Sequence, residues 1–200
     1  MKDKIYEFTV YLDGFTPRIS RRFQINWNYS VQEFIDTLMI LYEMDNSHLS
    51  TLYFEHYTFN SDITKTLLNY YDELMEPDHK EDDVDLTLNE LNLYVGCKMK
   101  YYYAFINDWI LKIKLEKILY VSDVKSPDIP YVIRGRCFGI IENCGGLYVL
   151  SDVYYNDKSL LEFDVKEKIK NWKIYFLNQK VCKFSLTYTL YFTLPYLDLS

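Results

Sequence analysis

The stretch YYYAFINDWILKIKLE, residues 101–116, decides the fold. Tyr101, Tyr103 and Phe105, with Met99 before them, line one face of an extended chain, because strand side chains alternate sides. A polar break follows at Asn107-Asp108. Trp109, Leu111, Ile113 and Leu115 then line one face of a second run, and Lys112, Lys114 and Glu116 take its wet side. Two period-2 runs joined by a short break predict a β-hairpin that builds a core. Trp109 is expected to be buried with its ring against a helix over 31–43.

Outward from the hairpin, IYEFTVYL (5–12) alternates as a half-buried strand and Asp13-Gly14 signals a turn. The next strand places Ile19, Phe23 and Ile25 on one face, and Arg21 falls on that same face. A buried guanidinium needs a partner, so Arg21 is expected to meet Glu142, or Asp108 instead. Ser30 and Glu33 form a capping box. Val31, Phe34, Ile35, Leu38 and Tyr42 then follow helical spacing. Residues 52–59 read as one strand and 62–75 as a second helix. EPDHKEDDVD (76–85) reads as an acidic surface loop. Thr87 and Glu90 are expected to open a short helix that Gly96 ends. Helices are predicted over 147–156 and 158–171, and the Thr- and Tyr-rich tail over 173–200 favours strand. The expected fold is a single α+β domain: a mixed, mainly antiparallel sheet with a β-grasp-like N-terminal half and helices on one face. Residues 1–155 form the domain, and 156–200 form a C-terminal extension packed on it.

The bulk numbers narrow the classes. Of 200 residues 49% are hydrophobic and 26% charged, the composition of a globular protein. The net charge of −7 weighs against binding duplex nucleic acid. The five arginines nevertheless gather in two groups, at 18–22 and 134–136, and leave room for local basic patches. MKDKIYEFTVYL lacks the apolar run of a signal peptide, and no segment approaches a membrane span. A cytoplasmic protein without a membrane partner is expected. Cys97, Cys137, Cys144 and Cys182 form no CxxC pair and read as reduced thiols.

Several fragments together resemble one family, the plasmid pRiA4b ORF-3-like proteins. YEFTVYLDGFTPRISRRFQI is similar to its N-terminal pattern of a proline and paired arginines before a strand, and SHLSTLYF (47–54) to its His-Leu segment. The hairpin over 103–116 resembles its central Tyr-Asp-Phe-Gly-Asp-x-Trp-x-His segment. Residues 140–146 resemble its Pro-Pro-Glu-Asp-x-Gly-Gly loop. Where the family pattern has two hairpin acids, a histidine and a second loop acid, this chain has Ala104, Asn107, Leu111 and Asn143. Ala, Leu and a neutral amide neither move protons nor bind metals well. The resemblance therefore implies no established activity, and it implies a mobile-element setting.

The candidate binding residues are Arg21, Arg22, Asp108, Glu142, Arg134 and Arg136, as an internal ion pair fixing the Gly145-Gly146 loop or as an anion site. His48, His56 and His79 have no metal-ligand spacing, so no metal or cofactor is expected. Alternation turns Tyr101 and Tyr103 inward and leaves Tyr102 alone with Lys98 and Lys100, a poor stacking platform. The resulting expectation is a non-enzymatic interaction protein with a protein partner. The rivals are an enzyme with an Arg/Asp/Glu site at the hairpin and Gly-Gly loop, and an acidic inhibitor that mimics nucleic acid.

Overall fold

In the computed structural model the described residues are 3–62, 64–65, 83–104, 109–124 and 130–164. Seven strands carry the architecture: β1 (Lys4–Leu12), β2 (Ser20–Asn26), β3 (Ser50–Phe54), β4 (Tyr57–Asn60), β5 (Lys98–Tyr103), β6 (Trp109–Tyr120) and β7 (Tyr131–Arg136). They form one sheet in the order β4-β3-β5-β6-β1-β2-β7. Every pairing among the described strands is antiparallel. Among the described residues two α-helices, α1 (Val31–Tyr42) and α2 (Leu147–Asn156), complete an α+β domain. The N-terminal order of strand, strand, helix, strand is present, and β6 occupies the place beside β1.

β5 and β6 pair in the register that alternation requires, with Tyr103 opposite Trp109, Tyr101 opposite Leu111 and Met99 opposite Ile113. Directly opposed residues point to the same face. All six are buried, Trp109 and Leu111 completely. The covered face continues through Phe8 and Val10 of β1 and Phe23 of β2. Phe34 of α1 reaches down onto it, its ring centroid 4.9 Å from that of Phe8. The capping box of α1 closes in both directions: Glu33 N donates to Ser30 Oγ at 3.1 Å and Ser30 N donates to Glu33 Oε2 at 2.9 Å.

Three local expectations differ. Residues 52–59 are not one strand, since the chain turns at Glu55-His56 and Tyr57 comes back opposite Phe54. Glu55 takes the left-handed conformation that the turn needs. No helix opens at Thr87. Glu90 accepts from Thr87 N at 2.7 Å, but the segment stays a run of turns. Its backbone is used elsewhere: Val31 N donates to Leu86 O and Gln32 N to Val84 O, which satisfies donors at the start of α1 that have no partner within the helix. After α2, which forms over 147–156 as its sequence predicts, the described residues make a 3-10 turn, Lys158–Leu161, instead of starting a long helix. Most of the expected helix over 62–75, most of the 76–85 loop and the tail from 165 lie outside the described residues.

Candidate functional site

β2 carries two neighbouring arginines, and their side chains leave the sheet on opposite sides. Arg21, at 1% exposure, enters the covered face. Among the described residues it meets no carboxylate there. Its Nε donates to Leu41 O at 2.7 Å, and its Nη1 donates to Ser20 O and Arg136 O, each at 2.8 Å. Nη2 donates to Phe138 O. The guanidinium lies over the ring of Tyr42, 4.9 Å away, and of Phe163, 3.9 Å away. Leu41 lies in the last turn of α1, which carries no basic residue of its own. Arg21 therefore supplies the cation that the negative end of that helix favours. Burial lowers its pKa to about 10, against the opposing effect of Tyr42, so it stays charged at neutral pH. The expected Arg21–Glu142 pair is thus replaced by Arg21 with backbone carbonyls, which supply acceptors without burying a second full charge. Gly135 makes room for this: a Cβ there would sit 2.2 Å from Phe163.

Glu142 goes elsewhere. Tyr103 Oη donates to Glu142 Oε1 at 2.8 Å and lies 2.9 Å from Asp45 Oδ1, and Asp45 N donates to Glu142 Oε1 at 3.0 Å. His48 Nε2 stands 3.3 Å from Glu142 Oε2. Burial, then the hydrogen bonds to both carboxylates, pushes the Tyr103 phenol far above its ordinary range. Asp108 lies outside the described residues. The family-like loop acid and histidine thus come together at the C-terminal end of α1, with Asp45 and Tyr103 as neighbours that no sequence spacing announces.

Arg22 exits to the open face of the sheet. Its Nε donates to Glu7 Oε1 at 2.9 Å, and Gln24 Nε2 donates to Glu7 Oε2 at 2.8 Å. Burial works to raise the Glu7 carboxyl, but the bonds and charges of Arg22, Gln24 and Lys117 outweigh it and hold the group below its ordinary value. The strand register then draws two straight rows across this face. One runs Lys98, Lys114, Thr9, Arg22, Arg134 over β5-β6-β1-β2-β7. The next runs Tyr53, Lys100, Lys112, Tyr11, Ser20, Arg136 over β3-β5-β6-β1-β2-β7. Neighbours in a row are about 4.8 Å apart, so the longer row spans about 24 Å, and the rows lie about 7 Å from each other. Arg18 lies 4.8 Å over the Tyr11 ring, and Tyr102 stands edge-on to Tyr53 with centroids 5.4 Å apart. Arg22, Arg134 and Arg136 border a groove of about 240 Å³. Arg136 is shared with a second groove of about 480 Å³ lined by Tyr155, Lys158 and Pro17.

The candidate set from sequence is therefore split three ways. Arg21 is a core residue, Glu142 belongs to the covered side, and Arg22, Arg134 and Arg136 share the open face. Tyr102 is not alone there, because cross-strand register adds Tyr53 and Tyr11. The alternation of Lys98, Lys100, Lys112 and Lys114 gave their side, but their alignment with the arginines depends on pairings between residues far apart in the chain.

No helix among the described residues is long and apolar enough to cross a membrane. No curated protein matches the chain. The fold resembles the crystal structure of the protein of unknown function MM3350 from Methanosarcina mazei Go1, with a TM-score of 0.64 and 19% sequence identity. The likeness covers 84% of this chain and 98% of that one. Residues 4–175 match the plasmid pRiA4b ORF-3-like protein family, a span that includes the hairpin, the arginine-bearing strands and the Glu142 loop. On that match, the chain belongs to the plasmid pRiA4b ORF-3-like family.

Proposed function

We propose that this is a non-enzymatic binding protein of mobile-element origin that holds a single-stranded nucleic acid across the open face of its sheet. The two cation rows carry the reading. In a chain of net charge −7, Lys98, Lys114, Arg22 and Arg134 stand in one line and Lys100, Lys112 and Arg136 in the next. An extended polyanion needs such regular cations for its phosphates, and Tyr11, Tyr53 and Tyr102 offer rings on which unpaired bases stack. A broad sheet face from which no helix among the described residues projects suits a single strand better than the grooves of a duplex. The enzyme reading loses support because Glu142 and the exposed arginines lie on opposite sides of the sheet. The acidic-mimic reading loses support because the exposed face is basic. The buried free thiols Cys97 and Cys137 support a reducing, cytoplasmic setting.

A second reading, a protein partner, rests on α2, where Tyr148 is 79% exposed and Tyr155, 74% exposed, lines the groove holding Lys158 and Arg136. A partner segment bearing carboxylates and apolar side chains fits that chemistry.

Fluorescence anisotropy tests the first reading with a labelled single-stranded oligonucleotide, its duplex and an acidic polypeptide. Five phosphate contacts give a log–log salt slope of about −3.5 on a single strand. Single-strand binding that is tightest of the three, and that is lost in Lys98→Glu/Arg134→Glu, supports the proposal. Equal or tighter binding to duplex or polypeptide, or indifference to the charge reversal, overturns it.

A further inference from the structure

We propose that the groove bordered by Arg22, Arg134 and Arg136 receives the terminal phosphate monoester of a single-stranded nucleic acid, so that the protein holds a strand by its end. This end recognition rests on single-strand binding across the open face and adds a specificity to it.

The pairing of β2 with β7 builds the groove. Phe23 lies opposite Val132, but Arg22 lies opposite Arg134. Ile133 is therefore an extra residue on β7, a β-bulge. Regular pairing onward from Phe23 and Val132 would set Arg134 opposite Arg21, on the covered face. The bulge instead sets Gly135 opposite Arg21 and brings Arg134 and Arg136 beside Arg22 and Ser20. Both arginines are exposed, and Ile133 is left 38% exposed. Bulges re-aim side chains beside functional sites, and the two side chains re-aimed here are both guanidinium groups.

The result is a like-charge pair, Arg22 directly across from Arg134, an arrangement that by itself weakens a sheet. An anion between the two reverses the sign. Arg22 is already held in place for it. Glu7, 3% exposed, accepts from its Nε and Nη2, and Nη1 takes no part in that pair. Glu7 offsets the charge of Arg22, and Arg134 and Arg136 add two more. A terminal phosphate monoester carries about −1.5 to −2 and offers three acceptor oxygens, whereas each internal phosphate carries a single charge. Guanidinium forks match phosphate oxygens two at a time, and the hydroxyl-bearing Thr9 and Ser20 also line the groove of about 240 Å³. The strands toward the other edge carry lysines, Lys98 and Lys100 on β5 and Lys112 and Lys114 on β6. These point charges suit the internal phosphates that would follow the anchored end.

Fluorescence anisotropy on the full chain tests this with one short single strand, labelled at an internal base, in three forms: with a 5′ phosphate, with a 3′ phosphate and with neither. One phosphorylated form should bind about tenfold more tightly than the hydroxyl-ended strand. Arg134→Gln/Arg136→Gln should abolish that preference with Tm unchanged, because both side chains are exposed. Lys98→Ser should weaken all three strands alike and keep the preference. Equal affinity for the three forms overturns end recognition while strand binding stands. A preference that survives Arg134→Gln/Arg136→Gln overturns this groove as its site. Binding of none of the three overturns both readings.

Discussion

The two faces of the sheet are built from the same strands and solve opposite problems. On the covered face Phe8, Phe23, Tyr101 and Trp109 exclude water, and the buried cation Arg21 is bound by four backbone carbonyls. On the open face cations stand in rows, and among the described residues Glu7 serves Arg22, Asp13 serves Lys112 at 2.7 Å, and Glu116 serves Lys114 at 2.8 Å. A buried charge must be matched at every donor, whereas an exposed one is solvated by water and stays available to a ligand. Arg21 and Arg22 differ by a single step of the chain, and that step decides between a fixed structural bond and a binding surface.

The comparison breaks first if Arg21 is dispensable. Arg21→Met takes the guanidinium away from the buried carbonyl of Leu41 and the part-buried carbonyl of Arg136 and should cost about 3–5 kcal/mol, read by urea denaturation. Trp109→Ala belongs in the same range, about 3–5 kcal/mol for a large core aromatic. Stability within 1 kcal/mol of the parent, in either variant, would remove the distinction between the faces. Gly135→Ala comes next. Its methyl group collides with Phe163, and overpacking of this kind costs about 1–3 kcal/mol. A Tm unchanged by that substitution would show that Phe163 does not cover Arg21.

Glu7 sharpens the comparison, as the buried acid of the open face. Its folded pKa lies below the ordinary 4.5, so its contribution is present above that value and is lost as pH falls through the lower folded value. Glu7→Gln should therefore be less stable than the parent at pH 7, and the gap should close on acidification below about 4.5. A gap that widens in acid would reverse the sign and exclude Arg22 as the dominant partner. The smallest stability effect is expected in the rows themselves. Lys98→Ser and Arg134→Ser should each change folding free energy by less than about 0.5 kcal/mol. Each should also lower the steepness of the single-strand salt dependence by about 0.7.

Some of this was legible before any coordinates. The hairpin over 101–116 was, because period 2 in apolar residues reports the burial of one face wherever the strand sits. The helix over 31–42 was, because its capping box and apolar spacing lie within one element. The partner of Arg21 was not. Sequence shows that a buried guanidinium needs acceptors, but a carbonyl at a helix end is as good as a carboxylate, and every residue has one. The turn at Glu55-His56 was not, since alternation continues through it on both sides. The failure of Thr87 to open a helix was not, because its segment is held by the amides of α1.

The sequence by itself determined which side chains are dry and which are wet along each strand, since that follows from local periodicity and the transfer of apolar surface out of water. Only the tertiary structure decided what the wet side amounts to. A net charge of −7 is a sum over the chain and carries no position, whereas antiparallel register sets Lys98 beside Lys114, and Arg22 beside Arg134, across gaps of 16 and 112 residues. The same holds for His48 and Glu142, which face each other because the loop after α1 meets the loop before α2. Register and loop closure are non-local, so the chemistry they assemble is fixed only when the chain has folded.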